Sequence, residues 1–391
     1  MALQLLVTDR NLNVVGDPLS GWTRLACDLN HNRPASGQVD LPARPEVMEL
    51  LQPGHRLVVI RDQSIWCAGP LEEPQDYAWD LAQNAGPGTV TARFSDDLAR
   101  VAGYLTYPEP TKAFTAQDTV TDRMRVFTSQ NAETILRTLV NENCGPGALA
   151  ARRIERLVLD TVASVGGTRS LSTRFVPLLD ACREVAAIDG LGFRTRQVGD
   201  QIRFGVYAPA DRTSDARFSA GLGNLRSLRF TLAAPTATSE LVQGGGDPDD
   251  EATPPNVRVY VEVASGAAAD WYRVEKLIDK TGTDSDVGGE LTQAGTLALG
   301  DDNPQASLST VTVDTEDLQA GRDFFLGDRV TVALPTGLEV ADVVQTIRLE
   351  ATPTEGEFVT SVIGNSDKST TTATVRTVRD LARRLGRLEA R

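Results

Sequence analysis

At 391 residues the chain is too long for one ordinary hydrophobic core and implies roughly two to four domains. Hydrophobic residues make up 41%, which excludes a disordered chain, and aromatics are sparse at 5%. With 53 acids against 39 bases the formal net charge is −14, which excludes a nucleic-acid reader held by phosphate contacts. Such a surface still suits a wall past which nucleic acid slides without sticking.

The start, MALQLLVTDRN, lacks a basic region followed by an apolar run, so no signal peptide is expected, and no window approaches a membrane span. The first hundred residues then read as short strands between turns. LQLLVTD and NLNVVGD would be two strands around an Asn-rich turn. WTRLACDLN and SGQVDLPA follow, with Ser36-Gly37 turning the chain. Pro53-Gly54 leads into HRLVVIRD and SIWCAGPLEEP, and TVTARFSDDLARVAGY holds a last strand and a helical turn. Turn signals at this spacing mark a sandwich or barrel, so 1–107 is predicted to be a first β-barrel domain.

Near residue 108 the text becomes Pro- and Thr-rich and the period changes. NAETILRTLVNENCG places Ile135, Leu136, Leu139 and Val140 on one helical stripe and stops at Gly145. FVPLLDACREVAAIDG predicts a second helix with Leu178, Leu179, Cys182 and Val185 inward, stopping at Asp189-Gly190. GFRTRQVGDQIRFGVY reads as a hairpin turning at Gly199-Asp200. Helix, helix and hairpin make 108–210 an α+β domain.

Strands return in LRSLRFTLA, TSELVQGGG, NVRVYVEVA and WYRVEKLID. GGGDPDDEATPP is too polar for a core, and DKTGTDSDVGGE is only faintly like a calcium loop, with Thr281 and Thr283 in place of two acids. Three further strands, DRVTVALP, LEVADVVQTIRLEA and EFVTSVIG, form a meander turning at Thr336-Gly337 and Glu355-Gly356. Residues 211–365 are thus predicted to be a second barrel domain with acidic loop insertions. PGHRLVVIR (53–61) and LGDRVTVAL (326–334) share Gly-x-Arg before alternating aliphatics and read as equivalent strands of two similar barrels. Gly327 would permit the turn, with Asp328 and Arg329 marking a polar barrel lip, while Val330, Val332 and Leu334 fill one face. Residues 366–391 read as a linker and a basic amphipathic helix whose seam is Val378, Leu381, Leu385 and Leu388. That helix packs either on its own chain or on a partner.

Little in the sequence points to chemistry. The two histidines, His31 and His55, have no nucleophile in a recognisable setting, and no GxSxG, HExxH or CxxC occurs. Cys27, Cys67, Cys144 and Cys182 lie far apart and read as reduced, partly buried thiols rather than zinc ligands. Acids such as Glu72, Glu73 and Asp76, or Asp247, Asp249, Asp250 and Glu251, could form a carboxylate pair but sit in turns, where acids usually only solubilise. Trp66, Trp79 and Trp271-Tyr272 read as packing rather than sugar-stacking groups. The expectation is a non-enzyme without cofactor or metal. The alternatives are a cell-wall hydrolase or a carbohydrate-binding receptor module.

The blocks LLVTDRNLNVVGDPLSGWTRLACDLNHNRPASGQVDLPA, PGHRLVVIRD, AGPLEEP, RVAGYLTYPEP, SELVQGGGD, RVEKLIDKTGTDS and FFLGDRVTVALPTG, in that order, resemble a siphophage tail protein family of actinobacterial phages over about residues 1–365. The resemblance implies a baseplate-hub fold, with two related β-barrels and an intervening α+β domain assembled as a ring-shaped homotrimer. It also implies a place at the virion tail tip, after assembly in the host cytoplasm, beside the distal tail protein, the tape-measure protein and fibre proteins. DNA would pass through the ring without specific binding.

Overall fold

The computed structural model describes residues 3–80, 86–118, 123–245, 258–280, 286, 289–302 and 305–364. The fold is mainly β. In the first stretch come β1 (Leu3–Thr8), β2 (Arg24–Asn30), β3 (Arg33–Pro42), a short α1 (Pro45–Leu50), β4 (Arg56–Arg61), β5 (Ser64–Ala78), β6 (Thr89–Ser95) and α2 (Leu98–Ala102). Alternate residues such as Leu5 and Val7, Leu25 and Cys27, and Val39 and Leu41 point into one core. The spatial order is β1-β4-β5-β6-β3-β2, every neighbour antiparallel. β5 is long enough to pair with β4 through its first half and with β6 through its second, with register shifts in both halves. Where it passes from one partner to the other, Gly69 lies so close to β6 that a Cβ would sit 2.1 Å from the Ser95 carbonyl oxygen.

One expected strand and one expected turn differ from this. NLNVVGD forms only an isolated bridge between Thr8 and Val14, because the Asp9 carboxylate accepts the N–H groups of Asn11 and Asn13 and curls the chain instead. Ser36-Gly37 is not a turn but lies inside β3. Gly37 faces Phe94 in register, and the Phe94 ring fills the space a Cβ would need, at 2.3 Å. The turn falls at His31-Asn32, with Asn32 left-handed at φ 53°.

The middle stretch holds β7 (Arg125–Asn131), α3 (Ala132–Asn143), β8 (Leu157–Leu159), β9 (Thr168–Thr173), α4 (Leu178–Asp189), β10 (Gly192–Val198) and β11 (Gln201–Tyr207). Both predicted helices form. Asn131 caps α3 by accepting the Thr134 N–H, and Ile135, Leu136, Leu139 and Val140 are fully buried. On α4, Leu178, Leu179, Cys182 and Val185 face the same core, and Gly190 ends the helix at φ 62°. β10 and β11 make the predicted hairpin at Gly199-Asp200, and β8 joins β11 in parallel.

The last stretch contains β12 (Arg217–Ser219), β13 (Leu225–Ala233), β14 (Ser239–Gln243), β15 (Tyr260–Ala264), β16 (Glu275–Asp279), α5 (Glu290–Asp302), β17 (Gln305–Thr312), β18 (Arg329–Ala333), β19 (Glu339–Thr352) and β20 (Gly356–Ile363). The β18-β19-β20 meander forms as expected, with Gly337 and Gly356 at positive φ in its turns. α5 lies against β14 and β15, and Gly295 allows that approach, since a Cβ there would meet the Val263 side chain at 2.6 Å.

The expected pair of separate closed barrels does not form among the described residues. β19 is long enough to pair with β18, β20 and also β2, so strands from the two ends of the chain join one ten-stranded sheet ordered β1-β4-β5-β6-β3-β2-β19-β18-β12, with β20 on β19. One core correspondingly mixes Leu5, Val39 and Phe94 with Phe218, Phe324 and Leu349. The physical reason is edge pairing: β2 and β19 each satisfy the other's backbone donors and acceptors, which leaves neither free to close a sheet on itself. Strands β4 and β18, expected to be equivalent, both follow a glycine at positive φ, yet Arg56 is buried and Arg329 exposed. No described helix is long and apolar enough to cross a membrane.

Candidate functional site

Gly327, Asp328 and Arg329 lie where the three stretches of chain meet. Gly327 has φ 88°, and a Cβ there would come within 2.6 Å of the His31 ring, so the β2–β3 turn can approach only a glycine. The Gly327 N–H donates to the Val344 carbonyl at 2.9 Å. Asp328 is buried at 4% exposure. Its Oδ1 accepts the Ala210 N–H at 2.8 Å, and its Oδ2 accepts the Phe325 N–H at 3.0 Å and meets Arg212 Nε at 3.4 Å. The Arg329 side chain is exposed, while its backbone N–H donates to Ala210 at 3.0 Å and its carbonyl accepts from Arg212 at 2.8 Å. Asp328 therefore faces inward and fastens the 207–217 connection to β18, rather than standing on an open rim. The seam residues Val378, Leu381, Leu385 and Leu388 lie outside the described residues.

The β2–β3 turn clamps the middle stretch at the same junction. Asn32 Nδ2 donates to the Leu191 carbonyl and Oδ1 accepts the Phe193 N–H, both at 2.8 Å, while Arg183 Nε donates to the Asn32 carbonyl at 2.9 Å. The Tyr207 hydroxyl donates to the Leu326 carbonyl at 3.2 Å, and burial pushes it up to about 12. Burial pulls His31 down to about 4, against the opposing charge of Asp328, so its ring is neutral near pH 7. His55, the other histidine, holds the Leu50 carbonyl at 2.7 Å through Nδ1.

A second fastening crosses between β4, α2 and β10. Arg56 forks onto Asp97 at 3.1 and 2.7 Å and also reaches Gln197 at 3.1 Å, with both charged partners almost fully buried. Burial raises Asp97 to about 6 despite Arg56, and raises neighbouring Asp96 to about 7. A third buried group was not legible in the sequence. Glu240 on β14 stands beside Asp302, which holds Lys276 at 2.5 Å and Thr236, and burial followed by Asp302 raises Glu240 to about 7. Of the candidate acids, Glu73 and Asp76 pair with the exposed Arg93, and Asp247, Asp249, Asp250 and Glu251 lie outside the described residues. All four cysteines are free and buried, as expected, and burial pushes the Cys144 thiol up to about 12. Among the described residues no cluster of His, Cys, Asp or Glu could hold a metal ion. What these fastenings can do is fix orientation: they lock three chain segments with buried polar bonds instead of presenting a nucleophile to a base.

A known family's sequence pattern, described as Siphovirus ReqiPepy6 Gp37-like protein, matches residues 4–365. The chain belongs to this family. The resemblance to a siphophage tail protein family is thereby borne out. Among curated proteins none matches. Solved structures of phage tail proteins share the fold. A tail protein from Neisseria meningitidis MC58 superposes with a TM-score of 0.58 at 13% identity, covering 94% of this chain and 98% of that one. The 43 kDa tail protein of prophage MuSo2 from Shewanella oneidensis gives 0.57 at 9% identity over 92% and 97%. Prophage tail protein gp18 from Listeria monocytogenes EGD-e gives 0.55 at 10% identity over 97% and 99%. This Gp37-like chain is thus mainly β with a phage tail protein fold. The aromatic residues bear out the packing reading only in part: Trp66 packs under Arg61 at 5.0 Å and Trp271 is half-buried, but Trp79 is 52% and Tyr272 85% exposed, so packing does not account for these two.

Proposed function

We propose that the protein is a structural component of a siphophage tail tip: a homotrimeric baseplate hub that joins the tail tube and distal tail ring to the central tip or fibre. The ring would leave a channel for the tape-measure protein and DNA. Membership of the Gp37-like family carries this reading, and a fold shared over nearly the whole length with three phage tail proteins supports it. A net charge of −14 fits a channel wall that DNA passes without being trapped by counterion release. The buried Asp328 and Arg56 fastenings suit a part whose work is done by shape, since they hold the segments in one mutual orientation. Exposed apolar side chains on the outer face of the β14–β16 sheet, Tyr260 at 68% and Leu277 at 60%, are available for contact with neighbours in the virion.

Light scattering on the purified full-length chain tests the assembly. The expected mass is three times 42.0 kDa, and negative-stain images should show a ring with an axial hole. A strict monomer at high concentration would sink the hub reading. Release of reducing sugar or loss of turbidity from actinobacterial cell walls would instead favour the hydrolase alternative.

A further inference from the structure

Four arginines of this acidic chain converge on one cleft of about 330 Å³, a size typical of a ligand site. Arg10 comes from the loop after β1, Arg56 from β4, Arg100 from α2, and Arg153 from the segment before β8, with Glu155 on the wall. Against these four positive groups stand Glu155 and the buried Asp97, an excess of two positive charges. The guanidinium groups are only partly used. Arg56 is 2% exposed; its terminal nitrogens hold Asp97 and Gln197, while its Nε–H has no partner. Arg100 approaches Asp97 no closer than 4.0 Å, and Arg153 donates from Nε to the Ala148 carbonyl. Arg10 is exposed and makes no ion pair among the described residues. A buried donor left unmatched is destabilising and calls for an acceptor. Planar arginine forks match carboxylate and phosphate oxygens equally well.

We propose that this cleft binds a compact polyanion, a ligand presenting two or more oxygen-anion groups. Arg10 and Arg153 capture it at the mouth, and the Arg56 Nε–H meets it at the base. The anionic groups are either carboxylates of an acidic peptide or phosphates of a free small molecule. The cleft lies between the N-terminal strands and the middle stretch, so an occupant would bridge them.

Calorimetry and thermal unfolding of the full chain with a hexaglutamate peptide, and separately with inorganic triphosphate, test this against sodium chloride of equal ionic strength. The expected result is a rise in Tm above the salt control, with Arg10→Glu weakening binding about tenfold or more. Arg153→Gln should weaken it in the same direction. Arg229→Glu, an exposed change on β13, should leave binding unchanged. Because Arg10 has no partner to lose, its variant should keep the wild-type circular dichroism spectrum. Tighter binding of the peptide would assign the site to a protein neighbour, and tighter binding of triphosphate to a free ligand. No shift beyond the salt control, or the same shift in Arg10→Glu, overturns the proposal, whatever oligomeric state scattering reports.

Discussion

Replacing Asp328 with alanine should loosen the junction more than any exposed charge change. The carboxylate accepts two backbone N–H bonds, from Ala210 at 2.8 Å and Phe325 at 3.0 Å, at 4% exposure. Each orphaned donor costs about 1–3 kcal/mol. The Arg212 contact, on an arginine 36% exposed, adds little. Asp328→Ala should therefore lower stability by about 2–6 kcal/mol. Asp328→Asn keeps one acceptor oxygen and should lose about half of that. Arg212→Gln should cost less than about 1 kcal/mol. Urea unfolding reads the midpoint, and limited proteolysis reads opening of the 207–217 connection, which should be cut sooner in Asp328→Ala. An alanine variant within about 1 kcal/mol of wild type and equally protease-resistant would refute the view that this carboxylate fastens the junction.

Other expectations follow from the same contacts. His31 is held down to about 4 when folded and lies near its ordinary 6.5 when unfolded, so the unfolded chain takes up the proton first on acidification. Its contribution is complete above about pH 6.5 and falls by about 2 kcal/mol by pH 5. Asp96 and Glu240, raised to about 7, act in the opposite sense, so the readout is the wild-type stability minus that of His31→Gln, and a flat difference between pH 7 and 5 would count against the assignment. Gly69→Ala should cost at least about 3 kcal/mol by thermal unfolding, because its Cβ would press on the β6 backbone, which cannot swing aside. Gly199→Ala, with open space around it but φ 59°, should cost only about 1–2 kcal/mol; equal losses at the two sites would contradict the packing argument. Leu136→Ala, at a fully buried position on α3, should cost about 2–5 kcal/mol by urea unfolding, and a loss below about 1 kcal/mol would mean that the helix is not packed as described.

Local structure was legible where one period and one stop signal agreed. Ile135, Leu136, Leu139 and Val140 repeat at helical spacing, Gly190 ends α4, and Gly199-Asp200 turns a hairpin, because each depends on near neighbours in sequence. α5 was missed: Gly295 and Gly300 weaken the helical signal, and Gly295 is there for its close approach to Val263, a neighbour the sequence cannot name. Ser36-Gly37 misled for the same reason, since its glycine answers to Phe94 across the sheet. The pairing of β2 with β19 was illegible, because alternation shows which face of a strand is apolar but not which edge it meets. Asp328 read as part of a polar barrel lip; only the distant Ala210 N–H reveals it as a buried acceptor. The arginine cleft draws on four separate segments, and no local motif announces it.

The union of β2 with β19 also sets a timetable for synthesis. Cys27 pairs opposite Leu349, so β2 emerges from the ribosome with one border bare and must wait until β19 has been made, far along the chain, before it is covered. Until then that border can recruit stray strands from other nascent chains, which leaves the unfinished protein open to aggregation until β19 (Glu339–Thr352) has emerged.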